Sequence, residues 1–349
     1  MDLADAVIER VRVERLDESV SGPFVAGDSQ FAVIAEARGM SGVFAPVDEL
    51  PAVLVAARLG QGAVGELVTD HEGLLCRLLA GLGQHAAGLG RWAVGALDCA
   101  VWDLHGCLAD RPVAALLSER PARLVPAYAS WLSVDLSSVS AAESVAATAG
   151  EGFAFTKWGL RSGPVHELAV RAERASSWAG HSVVVDALGT WNHVLAEELA
   201  PLLAPETVRW VEDPLPRTDR AAYEGLRTGA GSLRLGFGER LSHVEDVVEL
   251  LEHCRPDAFT FDVMWCGGIT EARGWLDAAR RAAVPVHLHG RSFVPAVHLA
   301  AAFPDMTDAV EYQVEWEPRR QRALREALLP ETGRVVLPDR PGLGVEVRR

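Results

Sequence analysis

The chain has 349 residues, of which 49% are hydrophobic and 23% charged, with a formal net charge of −15. That balance suits a globular enzyme with a large core, and an acidic surface without a basic patch excludes nucleic acid as an expected partner. No apolar run approaches the roughly 18 residues that cross a bilayer, so no membrane span is expected.

The opening segment MDLADAVIERVRVERLDES is too charged for a signal peptide. Residues 7–15 alternate as a strand does, residues 31–38 offer a second strand, and GPFVAGDSQ between them reads as a mobile loop. From about 47 to 118 the periodicity is helical; the last helix of this stretch is rich in small apolar residues and carries Asp98 and Asp103. Its alanine and leucine content suggests a homo-oligomer. Cys76, Cys99, Cys107, Cys254 and Cys266 are odd in number, scattered and without a CxxC pair. They point to reduced thiols in a cytoplasm, with neither a disulfide frame nor a zinc site.

After Pro112 and Pro121 short β-rich runs alternate with helices. The runs are 124–130, 153–157, 182–186, 208–212, 233–239, 257–262, 284–289 and 308–312. Eight such runs argue for a parallel α/β barrel. A doubly wound open sheet is the alternative, but it would show a phosphate-binding glycine pattern after an early strand. The glycines of GLGQHAAGLG lie between helices instead.

The ends of these runs share one chemistry. In order they carry Lys157, Asp186, Glu212, Glu239, Asp262, His289 and Glu311. In a barrel these ends meet at one mouth. Three carboxylates on adjacent strands, Asp186, Glu212 and Glu239, repel one another unless a cation sits among them. Oxygen donors alone favour a hard ion such as Mg²⁺ over zinc. His289 on the seventh strand would neighbour Asp262 on the sixth, and a carboxylate on an imidazole fixes its tautomer and raises its basicity. His287 is the rival, because residues two apart on a strand point to one face. His289 is preferred, since it precedes Gly290 at the strand end.

The segments TKWG, VVVDALG, VRWVEDPLP, LGFGERL, FTFDVMWCGGITEA, VPVHLHG and PDRPGLGVEV together resemble the enolase superfamily, mandelate racemase subgroup. The resemblance spans most of the chain. It implies a modified TIM barrel, (β/α)7β, over residues 121–318, and an α+β capping domain from residues 1–120, joined by the C-terminal segment 319–349. It implies a small-molecule carboxylate substrate, Mg²⁺ held by Asp186, Glu212 and Glu239, and abstraction of the proton α to the carboxylate. Asp262 and His289 match the His–Asp dyad, Lys157 the first lysine of a KxK motif, and Glu311 an acid that helps bind the substrate carboxylate.

The departures narrow the activity. Gly159 replaces the second KxK lysine, usually the base on that face, so only His289 is well supplied as a base. The stretch TKWGLRSGP resembles the corresponding segment of L-rhamnonate dehydratases, and implies dehydration of an acid sugar to a 2-keto-3-deoxy acid. Arg161 would then contact a distal hydroxyl or carboxylate. Leu188 stands where many relatives carry Asn, and ARGMSGVFAPVDELPAV lacks the usual Gly-rich strand-turn pattern of the cap. The competing readings are a racemase or epimerase with Lys157 as second base, a cycloisomerase of another carboxylate, and a non-catalytic ligand-binding barrel.

Overall fold

A computed structural model describes residues 3–17, 19–20, 29–216 and 220–348. The loop expected within GPFVAGDSQ lies, for residues 22–28, outside the described residues. The N-terminal region forms a three-stranded antiparallel sheet of β1 (Arg10–Arg15), β2 (Gln30–Ala37) and β3 (Met40–Asp48), in that order. β3 is a strand that the periodicity did not reveal. Its alternation is broken by Gly42 and Pro46, and the glycine has a tertiary reason. A Cβ at Gly42 would lie 2.1 Å from the backbone nitrogen of Leu104, so only glycine lets this strand approach the helix behind it. The helices follow as α1 (Glu49–Leu54), α2 (Gly60–Ala63), α3 (His71–Leu82), α4 (Leu89–Ala109) and α5 (Val113–Leu117).

The remainder closes into a barrel. Its strands are β4 (Leu124–Trp131), β5 (Thr156–Gly159), β6 (Val183–Asp186), β7 (Val208–Glu212), β8 (Leu235–Phe237), β9 (Ala258–Phe261), β10 (Val286–Leu288) and β11 (Thr307–Gln313). Neighbours pair in parallel, and β11 returns to pair with β4. Seven helices separate the eight strands: α6 (Ala141–Gly150), α7 (Val165–Ala179), α8 (His193–Leu199), α9 (Arg220–Gly229), α10 (Val244–Cys254), α11 (Ile269–Ala282) and α12 (Phe293–Ala302). This is the expected (β/α)7β order, and the open-sheet alternative falls. A short helix α13 (Glu317–Arg320) follows, and a ninth strand, β12 (Arg334–Val336), pairs antiparallel with β4. That strand was not foreseen, because three residues carry no readable period.

Strand alternation sends every second side chain into the barrel, where they stack in layers. Tyr128, Phe155, Val184, Trp210, Ala258 and Ala309 form a buried apolar layer. His287 belongs to this layer: its ring stacks 4.7 Å from that of Trp210 and meets Phe155 edge-on at 5.4 Å. Burial holds its pKa down at about 3, so it stays neutral. The ionisable layer lies one step nearer the C-terminal strand ends.

Buried polar groups on α4 and α12 tie the chain ends together. Asp103 on α4 accepts from the backbone N–H of Val43 at 2.6 Å and of Leu343 at 2.5 Å. His298 on α12 accepts at Nδ1 from the Ala114 N–H, 3.2 Å away, and donates from Nε2 to the Leu343 carbonyl at 2.9 Å. Both nitrogens are satisfied only by the neutral ring. Burial depresses its pKa to about 4, against the opposing pull of the Leu343 carbonyl. The unfolded chain therefore binds this proton before the native protein does. Folding stability should fall as pH drops from about 6.5 to about 4, by about 3 kcal/mol from this residue alone. Urea unfolding across that range checks it: His298→Asn should be less stable near neutrality but show a shallower acid slope. An unchanged slope would remove His298 from the acid response.

Candidate active site

The C-terminal ends of the barrel strands place seven of the eight expected site residues around one acidic mouth. Asp186 and Glu212 are the last residues of β6 and β7 and pair across the two strands. Asp262 and His289 each follow their strand by one residue, and Glu239 follows β8 by two, after a turn at Gly238. Lys157 and Glu311 sit within β5 and β11 and point inward with them. Arg161, the eighth, is exposed on the turn after β5.

Lys157 is buried at the centre of the carboxylates. Its Nζ lies 2.5 Å from Glu212 Oε1, 3.0 Å from Glu311 Oε1 and 3.4 Å from Asp186 Oδ2. Burial alone would lower its pKa; Glu212 and then Glu311 outweigh that and hold it well above the usual lysine value. An ammonium whose three protons all face carboxylates has no lone pair to offer.

One lysine does not neutralise this mouth. Burial first, then repulsion from neighbouring acids, raises Asp186 above the usual range and Glu212 to about 7, despite the counter-pull of Lys157. Glu311 goes the other way: Lys157 and His289 overcome its burial and hold it at about 2. Asp213, next to Glu212, was not singled out by the sequence. It is buried, neither of its carboxylate oxygens accepts a hydrogen bond, and burial and Glu239 push its pKa well up. Among the described residues its compensating neighbour of opposite charge is Arg240, 3.2 Å away, which also lies 3.6 Å from Glu239.

Opposite stands the imidazole. His289 Nδ1 lies 3.1 Å from Asp262 Oδ2, and Nε2 lies 3.4 Å from Glu239 and 3.6 Å from Glu311. Asp262 is itself held by the Ser292 hydroxyl at 2.6 Å and by the backbone N–H groups of Ser292 and Met264 at 2.9 and 3.0 Å. Trp265 stacks against the His289 ring at 4.8 Å, and Trp92 of α4 stacks on Trp265 at 4.7 Å. Burial would lower the pKa of His289; Glu311, the Asp262 hydrogen bond and Glu239 together raise it to about 9.

The second KxK position is closed by sterics. A Cβ on Gly159 would fall 2.2 Å from the Leu132 carbonyl oxygen, so the backbone leaves no room for a lysine there.

Asp186, Glu212 and Glu239 occupy three consecutive strand ends, yet among the described residues no three His, Cys, Asp or Glu side chains converge closely enough to hold a metal ion. Lys157 stands between two of them, and Glu239 turns to His289 and Arg240. The donor set nonetheless fits a hard divalent cation. It is made only of carboxylate oxygens, and acids with raised pKa values remain under-neutralised beside Lys157.

A family model described as Enolase C-terminal domain-like matches residues 140–349. The chain belongs to the enolase superfamily. Among curated relatives in the superfamily, the D-galactarolactone cycloisomerase of Agrobacterium fabrum (strain C58) is 28% identical over 289 residues, covering 76% of this chain and 74% of its own. The L-rhamnonate dehydratase of Saccharopolyspora erythraea is 28% identical over 314 residues, covering 85% and 77%. A mandelate racemase/muconate lactonizing enzyme-like protein from Rubrobacter xylanophilus superposes with a TM-score of 0.83 at 26% identity, over 98% of this chain and 97% of that one. A racemase from Streptomyces coelicolor A3(2), solved with bound magnesium, gives the same TM-score and coverage at 22% identity, a likeness of fold.

The closed backbone at Gly159 makes a direct prediction. Gly159→Ala should cost about 1–3 kcal/mol of stability, read as a lower urea midpoint, because the new methyl must displace the Leu132 carbonyl. A variant as stable as the parent would show that the strand yields and that this position can hold a side chain.

Proposed function

We propose that this protein is a Mg²⁺-dependent lyase that removes the proton α to the carboxylate of an acid sugar and expels water, giving a 2-keto-3-deoxy acid. The observation that carries the reading is the asymmetry of the mouth. One side has an imidazole backed by a carboxylate, His289 and Asp262. The other has only Lys157, locked by three acids, and a glycine too crowded to be replaced. One base suits dehydration better than racemisation, which wants a base on each face.

Asp186, Glu212 and Glu239 are the residues that would hold the ion. Bound Mg²⁺ would supply positive charge where the substrate carboxylate gains negative charge as the α-proton leaves. His289 takes the C2 proton at Nε2, while Asp262 holds the ring and stabilises its positive charge. The electron pair of the broken C–H bond moves toward the carboxylate. As that pair returns to form the C2–C3 double bond, the C3 hydroxyl departs with the proton from His289, and water is released. The resulting enol tautomerises to the 2-keto acid. Glu311 and Lys157 contact the substrate carboxylate or carry charge beside it, and Arg161, exposed after β5, would reach a distal hydroxyl or carboxylate.

The Streptomyces coelicolor neighbour that carries magnesium supports the choice of ion, and the Saccharopolyspora relative supports the substrate class. A second reading is a cycloisomerase. It needs a single base as well, and the Agrobacterium relative favours it.

Two measurements test this. Titration calorimetry should show Mg²⁺ binding that Glu212→Gln weakens by at least about tenfold, since one of three charged ligands is lost. A library of mono- and diacid sugars, incubated with the Mg²⁺-loaded protein in D₂O and read by mass spectrometry, should yield a product lighter by one water. His289→Asn should slow that by at least about 10²-fold. Deuterium gained without loss of water would favour an isomerase, and no change in any compound would remove acid sugars as the substrate class.

A further inference from the structure

Gln313 ends β11, two residues beyond Glu311 and therefore on the same inward face. It is buried, and its amide touches groups on both sides. Its Oε1 lies 2.7 Å from Nη2 of Arg320, a guanidinium that can only donate. Arg320 is fixed in turn, donating to Glu317 at 2.9 Å and to the Gly290 carbonyl at 3.2 Å. The amide orientation of Gln313 is thus decided by its partner: the oxygen faces Arg320 and the NH₂ faces the barrel.

That NH₂ meets His289 Nε2 at 3.1 Å and Glu311 Oε2 at 3.3 Å. In the neutral ring, a donor at hydrogen-bond distance from Nε2 requires a lone pair there. The ring proton then resides on Nδ1, where Asp262 Oδ2 accepts it at 3.1 Å, a closer contact than the Arg291 backbone N–H that approaches the same nitrogen at 3.4 Å. Glu239 and Glu311 pull the other way and would accept a proton from Nε2, but at 3.4 and 3.6 Å they are farther than Gln313. Glu311 Oε2 is also already engaged by the Gly290 N–H at 2.8 Å. A chain of donors, Arg320 to Gln313 to His289 to Asp262, runs in one direction.

We infer that Gln313, clamped by Arg320, is a positioning residue that selects, in the neutral His289 ring, the tautomer with its lone pair on Nε2, the nitrogen facing the acidic mouth. The catalytic meaning of this rests on reading His289 as the base; the hydrogen-bond direction itself does not. When substrate enters, its α-proton replaces the Gln313 N–H at Nε2, and the released amide keeps its contact with Glu311. Gln313 therefore acts through His289 and takes no part in bond breaking.

The test is spectroscopic and needs neither substrate nor metal. In protein labelled with ¹⁵N-histidine, His289→Asn assigns the His289 signals. Spectra are taken at the alkaline end of the stable range, where the ring is neutral. The parent should show an unprotonated-type Nε2 and a protonated Nδ1. Gln313→Glu keeps an acceptor for Arg320 but turns a carboxylate oxygen toward the ring in place of the NH₂. It should abolish the unprotonated Nε2 signal and replace it with a protonated one. Gln313→Met, which fills the same volume without a donor, should give a mixture and guards against misfolding of the first variant. A protonated Nε2 in the parent, or an unchanged signal in both variants, overturns the inference. Failure here leaves the sugar-acid and Mg²⁺-binding results untouched, and failure of those leaves the tautomer untouched.

Discussion

Everything at the barrel mouth follows from the cost of crowding carboxylates out of water. Asp186, Glu212, Asp213, Glu239, Asp262 and Glu311 gather on successive strand ends, and most of them are buried. Burying a charge without a partner is costly. Lys157 offsets part of it by contacting three of them, and Arg240 serves two more. Burial and mutual repulsion still push Asp186, Glu212 and Asp213 above the usual carboxylate range, so the compensation is incomplete. A site with surplus negative charge and hard oxygen donors is built for a further cation. The stability that is given up to assemble it is what a protein spends on function and not on packing.

The same cost explains how firmly the imidazole is held. His289 stands among three carboxylates, stacked on Trp265 and backed by an Asp262 whose oxygens receive a hydroxyl and backbone N–H groups. Trp92 and Asp98 of α4 reach this turn from outside the barrel. Asp98 accepts from the Thr270 hydroxyl at 2.5 Å and from its backbone N–H at 3.1 Å, at the start of α11. The helix that reads in sequence as merely small and apolar is therefore a support for the dyad. Its two aspartates, which look misplaced in such a helix, bind one end to the barrel and the other to β3 and the C-terminal segment.

Much was legible in the sequence because its signals are local. Parallel strands buried on both sides read as short β-rich runs, and an ionisable residue at the end of each run stands out against them. The alternation of eight such runs with helices carried the barrel, and the motifs around their ends carried the family. Short or interrupted elements were not legible. β3 carries a glycine demanded by α4, and β12 is three residues long and pairs with a strand some 200 positions earlier. Gln313 was within reach, since alternation puts it on the face of Glu311, but nothing local marks a glutamine as important.

The sequence by itself determined which chemical groups lie on the inner face of each strand, because side-chain alternation has a fixed period of two. It could not determine depth or neighbours, because these depend on strand register and on contacts between residues distant in the chain. Tertiary structure alone separated His287, stacked on Trp210 in an apolar layer, from His289, beside Asp262 in the ionic one. It alone showed Lys157 locked by acids, Gly159 pressed against the Leu132 carbonyl, and Arg320 turning the amide of Gln313 toward the imidazole. Charge and hydrogen-bond direction act over a few ångströms, and only the folded chain sets those distances.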